Sequence, residues 1–255
     1  MNLLILKLIL APVIIGSASL AGRKWGPAVS GWIIGLPLTT GPVVFFLALS
    51  HDAAFAASAT LGVISGGISL VIYALTYAWI ATRFRWQAAI IGSLTAFLIC
   101  TAILQNLSFP LFPVFFTVIG AIVLSLRMIP NGQVEPSSAS AGRWDIPARI
   151  LIGTGFILLL TGSAPFIGPR LTGLLATIPL YASILTVFAH RRQGAAAASH
   201  VLRGLLHGLF AFAGFFLTLN LLLERASLAA AFLSAILVAL TVQGASLRSL
   251  RQARP

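Results

Sequence analysis

The sequence predicts an all-α polytopic membrane protein with about nine transmembrane helices, arranged as two inverted four-helix repeats joined by a connecting helix. Three observations carry this. First, apolar residues make up 59% of the chain and charged residues only 8%, with a mean hydropathy of +1.04. Soluble domains carry about 25% charged residues, so a water-soluble fold is excluded. Second, the chain repeats itself at a spacing of 142 residues. Gly26-Pro27, Ser30-Gly31 and Pro37-Leu38 return without a gap as Gly168-Pro169, Thr172-Gly173 and Pro179-Leu180, and Gly62, Gly66 and Arg83 return as Gly204, Gly208 and Arg225. Third, the basic residues segregate to one side of the membrane once nine spans are drawn, and their bias reverses between the copies.

A span needs about 20 apolar residues. The apolar runs place spans at residues 3–21, 28–50, 54–81, 87–104, 108–127, 147–164, 170–189, 197–222 and 226–246. The fourth and fifth form one apolar stretch, divided at Gln105-Asn106 and by Pro110 and Pro113, because proline lacks the amide donor a helix needs. The domain organisation is a first repeat over 1–106, a connecting helix and cytoplasmic linker over 107–146, and a second, inverted repeat over 147–255. The linker carries the turn-forming Pro130-Asn131-Gly132 and a small-residue run at 137–141. Residues 1–22 imitate a signal peptide, but Arg23-Lys24 follow the run and Lys7 has a counterpart in Arg149, so they are assigned as the first span.

With nine spans, 13 of the 16 basic residues fall on one side and only Lys7, Arg170 and Arg225 on the other. The rich side is expected to be cytoplasmic, which puts the amino terminus outside and the carboxy terminus inside a bacterial inner membrane. Trp25, Trp79, Trp86 and Trp144 fall near the same face, as interfacial anchors do. An odd number of spans separates corresponding helices, so the second copy is expected upside down. The loop at His51-Asp52 is outside and its counterpart Arg191-Arg192 inside, while Arg225, outside, sits beside Glu224. The net charge of +12 therefore reports membrane orientation, and nucleic-acid binding is not expected. The lone Cys100, in an apolar run, excludes an intrachain disulfide and a cysteine-based metal site.

The candidate functional residues follow from the repeat. Pro37 and Pro179 fall near mid-span, where each is expected to free the carbonyl four residues back (Ile33, Leu175) and break its helix. Two discontinuous helices meeting at mid-membrane make a substrate site in many transporters. Ser30, Thr39, Thr40, Thr172, Tyr181 and Ser183 supply hydroxyls around the breaks. His200, Arg203 and His207 share one face of the eighth span at i, i+3 and i+7, where they could bind an anion or carry a proton, or, in structural terms, snorkel or bond a neighbouring helix. Tyr73 and Tyr77 share a face of the third span, where tyrosine near an end suits the interface. Asn220, near the outer end of the eighth, is expected to face water. Gly62–Gly66 and Gly204–Gly208 have the spacing of close helix packing.

All four acids, Asp52, Glu135, Asp145 and Glu224, fall in loops or at span ends. That argues against a carboxylate proton relay, an oxygen-ligand metal site and paired-carboxylate catalysis. No enzyme activity and no cofactor are expected. Each half resembles the small four-span GlpM-like membrane proteins, through Gly173, Pro179, His190 and Gly194 in the second half and Gly31 and Pro37 in the first, where His51 is displaced by three residues. That resemblance implies a four-helix unit. In architecture the chain is also similar to the drug/metabolite transporter superfamily with its inverted halves. The function these features predict is a secondary transporter or flippase of a small, anionic or lipid-linked solute, working by alternating access. The alternative is a non-transporting scaffold or accessory protein of an envelope or cofactor pathway. The expected partners are the lipid bilayer, the solute and, as one option, further copies of the chain.

Overall fold

The computed structural model describes residues 3–24, 36–107, 109–130 and 145–252, and among them all regular structure is helical. The ten helices are α1 (Leu3–Lys24), α2 (Thr40–Ser50), α3 (Ala53–Ala81), α4 (Trp86–Gln105), α5 (Leu111–Met128), α6 (Asp145–Ile167), α7 (Pro169–Ala176), α8 (Leu180–Gln193), α9 (Ala195–Leu222) and α10 (Leu228–Gln252). Seven helical stretches among these residues are long and apolar enough to cross a membrane, with α7 and α8 together making one of them. This is a polytopic membrane protein. Of the predicted second span, residues 28–35 lie outside the described residues, as does most of the linker.

The helix starts keep the spacing of the sequence repeat. Leu3, Ala53 and Trp86 open α1, α3 and α4, and 142 residues later Asp145, Ala195 and Leu228 open α6, α9 and α10. The reason is local. Asp52 caps α3 by accepting the Phe55 N–H at 2.7 Å. At the corresponding place Gly194, with φ +84°, lets the chain end α8 and begin α9 without a loop. The stretch from Trp86 to Met128 divides at Gln105 as expected, because Pro110 stands immediately before α5 and cannot continue a ladder from α4.

Two pairs of helices at corresponding positions, α1 with α6 and α3 with α9, pack side by side and run in opposite directions. Near the start of α1, Lys7 Nζ donates to Thr161 Oγ1 near the end of α6 at 2.9 Å. Towards the other end of α1, Gly16 faces Ile150, close to the start of α6. In the same way Asn220, near the end of α9, donates to the Ala57 carbonyl (2.7 Å) and to Thr60 Oγ1 (2.6 Å) near the start of α3, while Gly67 faces Phe212 midway. The expectation that Asn220 faces water is thus corrected. A carboxamide at a helix–helix contact finds protein partners, which bilayer depth favours.

The centre of the molecule is α3 and α9, with α5 packed on both. The outer faces of α4, α5 and α10 are apolar, with Ile91, Leu98, Phe116, Leu124, Leu233 and Leu237 exposed, as contact with acyl chains requires. Two glycine stripes bring α3 against α7. A Cβ on Gly62 would strike the Arg170 carbonyl, and one on Gly173 the Ala59 carbonyl, so the two backbones are in direct contact.

Candidate functional site

The chain from Ala176 to Leu180 breaks a single membrane-spanning stretch into α7 and α8. Pro179 denies α8 a preceding turn, and the break is closed locally. The Thr177 N–H donates to the Leu174 carbonyl (3.2 Å), the Ile178 N–H to the Leu175 carbonyl (3.0 Å), and Thr177 Oγ1 to the Leu174 carbonyl (2.7 Å). The expectation that Leu175 leaves its carbonyl free is therefore corrected: the last turn tightens to i→i+3 bonds, a common end for a helix that cannot go on. Its counterpart Ile33 lies outside the described residues.

The same conformation recurs in the first copy. Leu38 N–H donates to Leu36 O (2.7 Å) and Gly41 N–H to Pro37 O (2.9 Å). In the second copy Leu180 N–H donates to Ile178 O and Ser183 N–H to Pro179 O, both at 2.8 Å. The two segments meet. A cavity of about 40 Å³ lies between them, with Leu36, Thr39 and Thr40 on one side and Thr177, Pro179 and Tyr181 on the other. It has room for water rather than for a solute of several atoms. Thr40 opens α2 and Leu180 opens α8, so the positive ends of two helices converge on the cavity. Tyr181 is buried, with its hydroxyl reaching Gly153 of α6.

The predicted site residues divide into those the fold brings together and those it does not. Thr39, Thr40, Pro179 and Tyr181 line the cavity, and Pro37 lies in the break between Leu36 and Thr39. Ser183 is one turn into α8, its Oγ buried without a hydrogen-bond partner. Thr172 is fully buried, and its hydroxyl donates to the Gly168 carbonyl of its own helix at 2.6 Å. Ser30 lies outside the described residues. His200 is exposed near the start of α9. Arg203 Nη2 donates to the Ile129 carbonyl at 2.6 Å, capping the carboxy-terminal end of α5. His207 turns Nδ1–H to the Arg203 carbonyl at 2.8 Å, one turn back on α9. None of His200, Arg203 and His207 lines the cavity. Each of the two inner side chains spends one nitrogen on a backbone carbonyl, while Arg203 Nε is buried without a hydrogen-bond partner.

Sequence reasoning missed three features. Thr177 shares the break with Pro179, and its position two residues before a mid-span proline was the available signal. Lys7 is buried, held by Thr161 and 5.6 Å from the Phe46 ring, although it lies within two turns of the start of α1. Tyr73 and Tyr77 were expected at the interface, and both are fully buried. Comparison with protein-family models finds no match, and comparisons with curated proteins and with solved structures find none either.

Proposed function

We propose that the two halves are an inverted repeat and that the protein is an inner-membrane transporter or flippase of a small solute, working by alternating access around the central cavity. The observation that carries the reading is the meeting, at one cavity, of the helix break at Ala176–Leu180 and the segment Leu36–Thr40, which has the same backbone hydrogen bonds 142 residues earlier. Corresponding helices that run antiparallel, α1 against α6 and α3 against α9, support the inversion. Discontinuous helices at the interface of inverted repeats are a recurrent way to build a site that can face either side. An anionic solute, free or lipid-linked, fits best, since the amino-terminal ends of α2 and α8 converge there and the described acids, Asp52, Asp145 and Glu224, lie at helix ends. The end of the molecule carrying Arg83, Arg85, Arg127, Arg191 and Arg192 is then the cytoplasmic one.

The test is flux of small labelled organic anions in proteoliposomes, for the native chain and for Pro37→Ala combined with Pro179→Ala. The reading predicts flux that the double substitution abolishes while the protein stays folded. Undiminished flux in the double variant would remove the breaks from the site. Absence of any flux or ligand-induced stabilisation, together with a stable complex with another membrane protein, would establish the scaffold instead.

A further inference from the structure

Beyond the cavity, α8 carries Ser183, Thr186 and His190 at i, i+3 and i+7, on one helix face. Across from them stand Tyr73 and Tyr77 of α3 and Ser93 of α4. The Tyr73 hydroxyl faces the side chains of Ser183, Thr186 and Ser93. Tyr73, Ser93 and Thr186 are each 0% exposed, and the hydroxyls of Tyr73, Ser183 and Thr186 lie within hydrogen-bonding reach of one another without a well-aligned partner in the protein. The seam ends at the face bearing Arg191 and Arg192, where the Tyr77 hydroxyl pairs with His190 Nδ1 at 3.3 Å and Arg191 lies over the Trp86 ring.

The corresponding α9–α10–α2 seam has no polar group. Adding or subtracting 142 turns Ser183, Thr186 and His190 into Gly41, Val44 and Ala48, Tyr73 and Tyr77 into Phe215 and Leu219, and Ser93 into Ala235. There Phe215 packs edge-on to Phe232 and reaches Gly41. Six positions are polar in the α3–α4–α8 seam and apolar in the corresponding α9–α10–α2 seam. Packing alone does not ask for this, because the apolar version closes the equivalent space in the same fold. Buried hydroxyls whose protein partners are poorly aligned are normally completed by water, and inside a bilayer such groups mark a path or a cavity.

We propose that the α3–α4–α8 seam is the hydrated arm of the solute pathway, through which the central cavity exchanges with the Arg191–Arg192 face. The Tyr77–His190 contact latches it, and the α9–α10–α2 seam, filled by Phe215 and Phe232, is its sealed counterpart. The proposal rests on the transport reading of the cavity. Its lining is hydroxyl and imidazole without a fixed charge, which suits water and the desolvated polar parts of a solute.

The experiment uses Cys100→Ser protein in membranes and the charged probe trimethylammonium-ethyl methanethiosulfonate. Thr186→Cys and Ser183→Cys are compared with Val44→Cys and Gly41→Cys. A thiol reacts as thiolate, which apolar burial suppresses, so the seam thiols should react at least about tenfold faster than their counterparts. Tyr77→Phe, by opening the latch, should speed Thr186→Cys labelling further. Water-radiolysis footprinting of the native chain gives a second readout free of substitution: Tyr73 should be oxidised and Phe215 should not. Four equally unreactive thiols with an unmodified Tyr73, or four equally reactive ones, overturn the proposal. Labelling without flux supports the hydrated arm and removes the transport reading. Flux with unreactive seam thiols removes the arm and leaves transport by another route.

Discussion

Gly173→Ala is the most quantitative test of the packing that holds the broken helix in place. A Cβ built on Gly173 would overlap the Ala59 carbonyl oxygen and stand 2.9 Å from Val63 N and 3.0 Å from Ala59 C, where ordinary contact begins at 3.4 Å. The obstacle is backbone, so no rotamer change relieves it, and α7 must move off α3. Overpacking of this kind costs about 1–3 kcal/mol, and a rigid obstacle on both sides places Gly173 at the upper end. Alanine also gains about 1 kcal/mol over glycine in a helix interior. Gly120→Ala, on α5 with nothing within 4 Å of the new Cβ, isolates that gain. The two variants should therefore differ by about 2–3 kcal/mol, or roughly 5–10 °C in Tm at this chain length. The assay is thermal unfolding in detergent, followed by the monodisperse fraction on size-exclusion chromatography. Equal melting of Gly173→Ala and Gly120→Ala would refute the claim that bare backbone contact joins α3 to the break.

Three further outcomes are expected from the hydrogen bonds that tie the halves and the connector together. Arg203→Gln should lower stability by about 1.5–3 kcal/mol in thermal unfolding, because it removes the charged donor on the Ile129 carbonyl. Asn220→Ala and Thr60→Val should be coupled by about 0.6–1.7 kcal/mol in a double-mutant cycle of unfolding free energies, the range for side-chain bonds between membrane helices. Thr161→Val should destabilise by about 1–3 kcal/mol by stranding the Lys7 ammonium, whereas Thr161→Val with Lys7→Met should recover most of that loss in the same assay.

How far these features were legible in the sequence depends on whether they are set by local chemistry or by pairing. The division before α5 was legible because a proline acts on its own segment: Pro110 stands where the chain shows it. The 142-residue offset was visible because backbone-determining residues, glycine and proline, return in register. The break itself was anticipated from Pro179, but its hydrogen bonds were not. Proline rules say which donor is lost, and the tightening of the preceding turn around Thr177 depends on its fit against Gly66. The partners of Arg203 and His207 were not legible because i, i+3 and i+7 spacing fixes a face and says nothing of what lies opposite. Here a helix end, Ile129, took the guanidinium. Tyr73 and Tyr77 show the same gap from the other side. Their burial follows from α8 packing across them, a long-range contact that no local pattern encodes.

Inversion of the two halves is the claim on which the functional proposal depends, and sidedness tests it most directly. Ala53 and Ala195 open α3 and α9 at corresponding positions and, unlike Asp52 before α3, carry no side-chain hydrogen bond. In a Cys100→Ser background, Ala53→Cys and Ala195→Cys are each challenged with a membrane-impermeant maleimide, first on intact cells and then on permeabilised ones. Inverted halves predict that Ala53→Cys labels on intact cells and Ala195→Cys only after permeabilisation. Labelling of both from the same side would contradict the inversion and, with it, alternating access between the two halves.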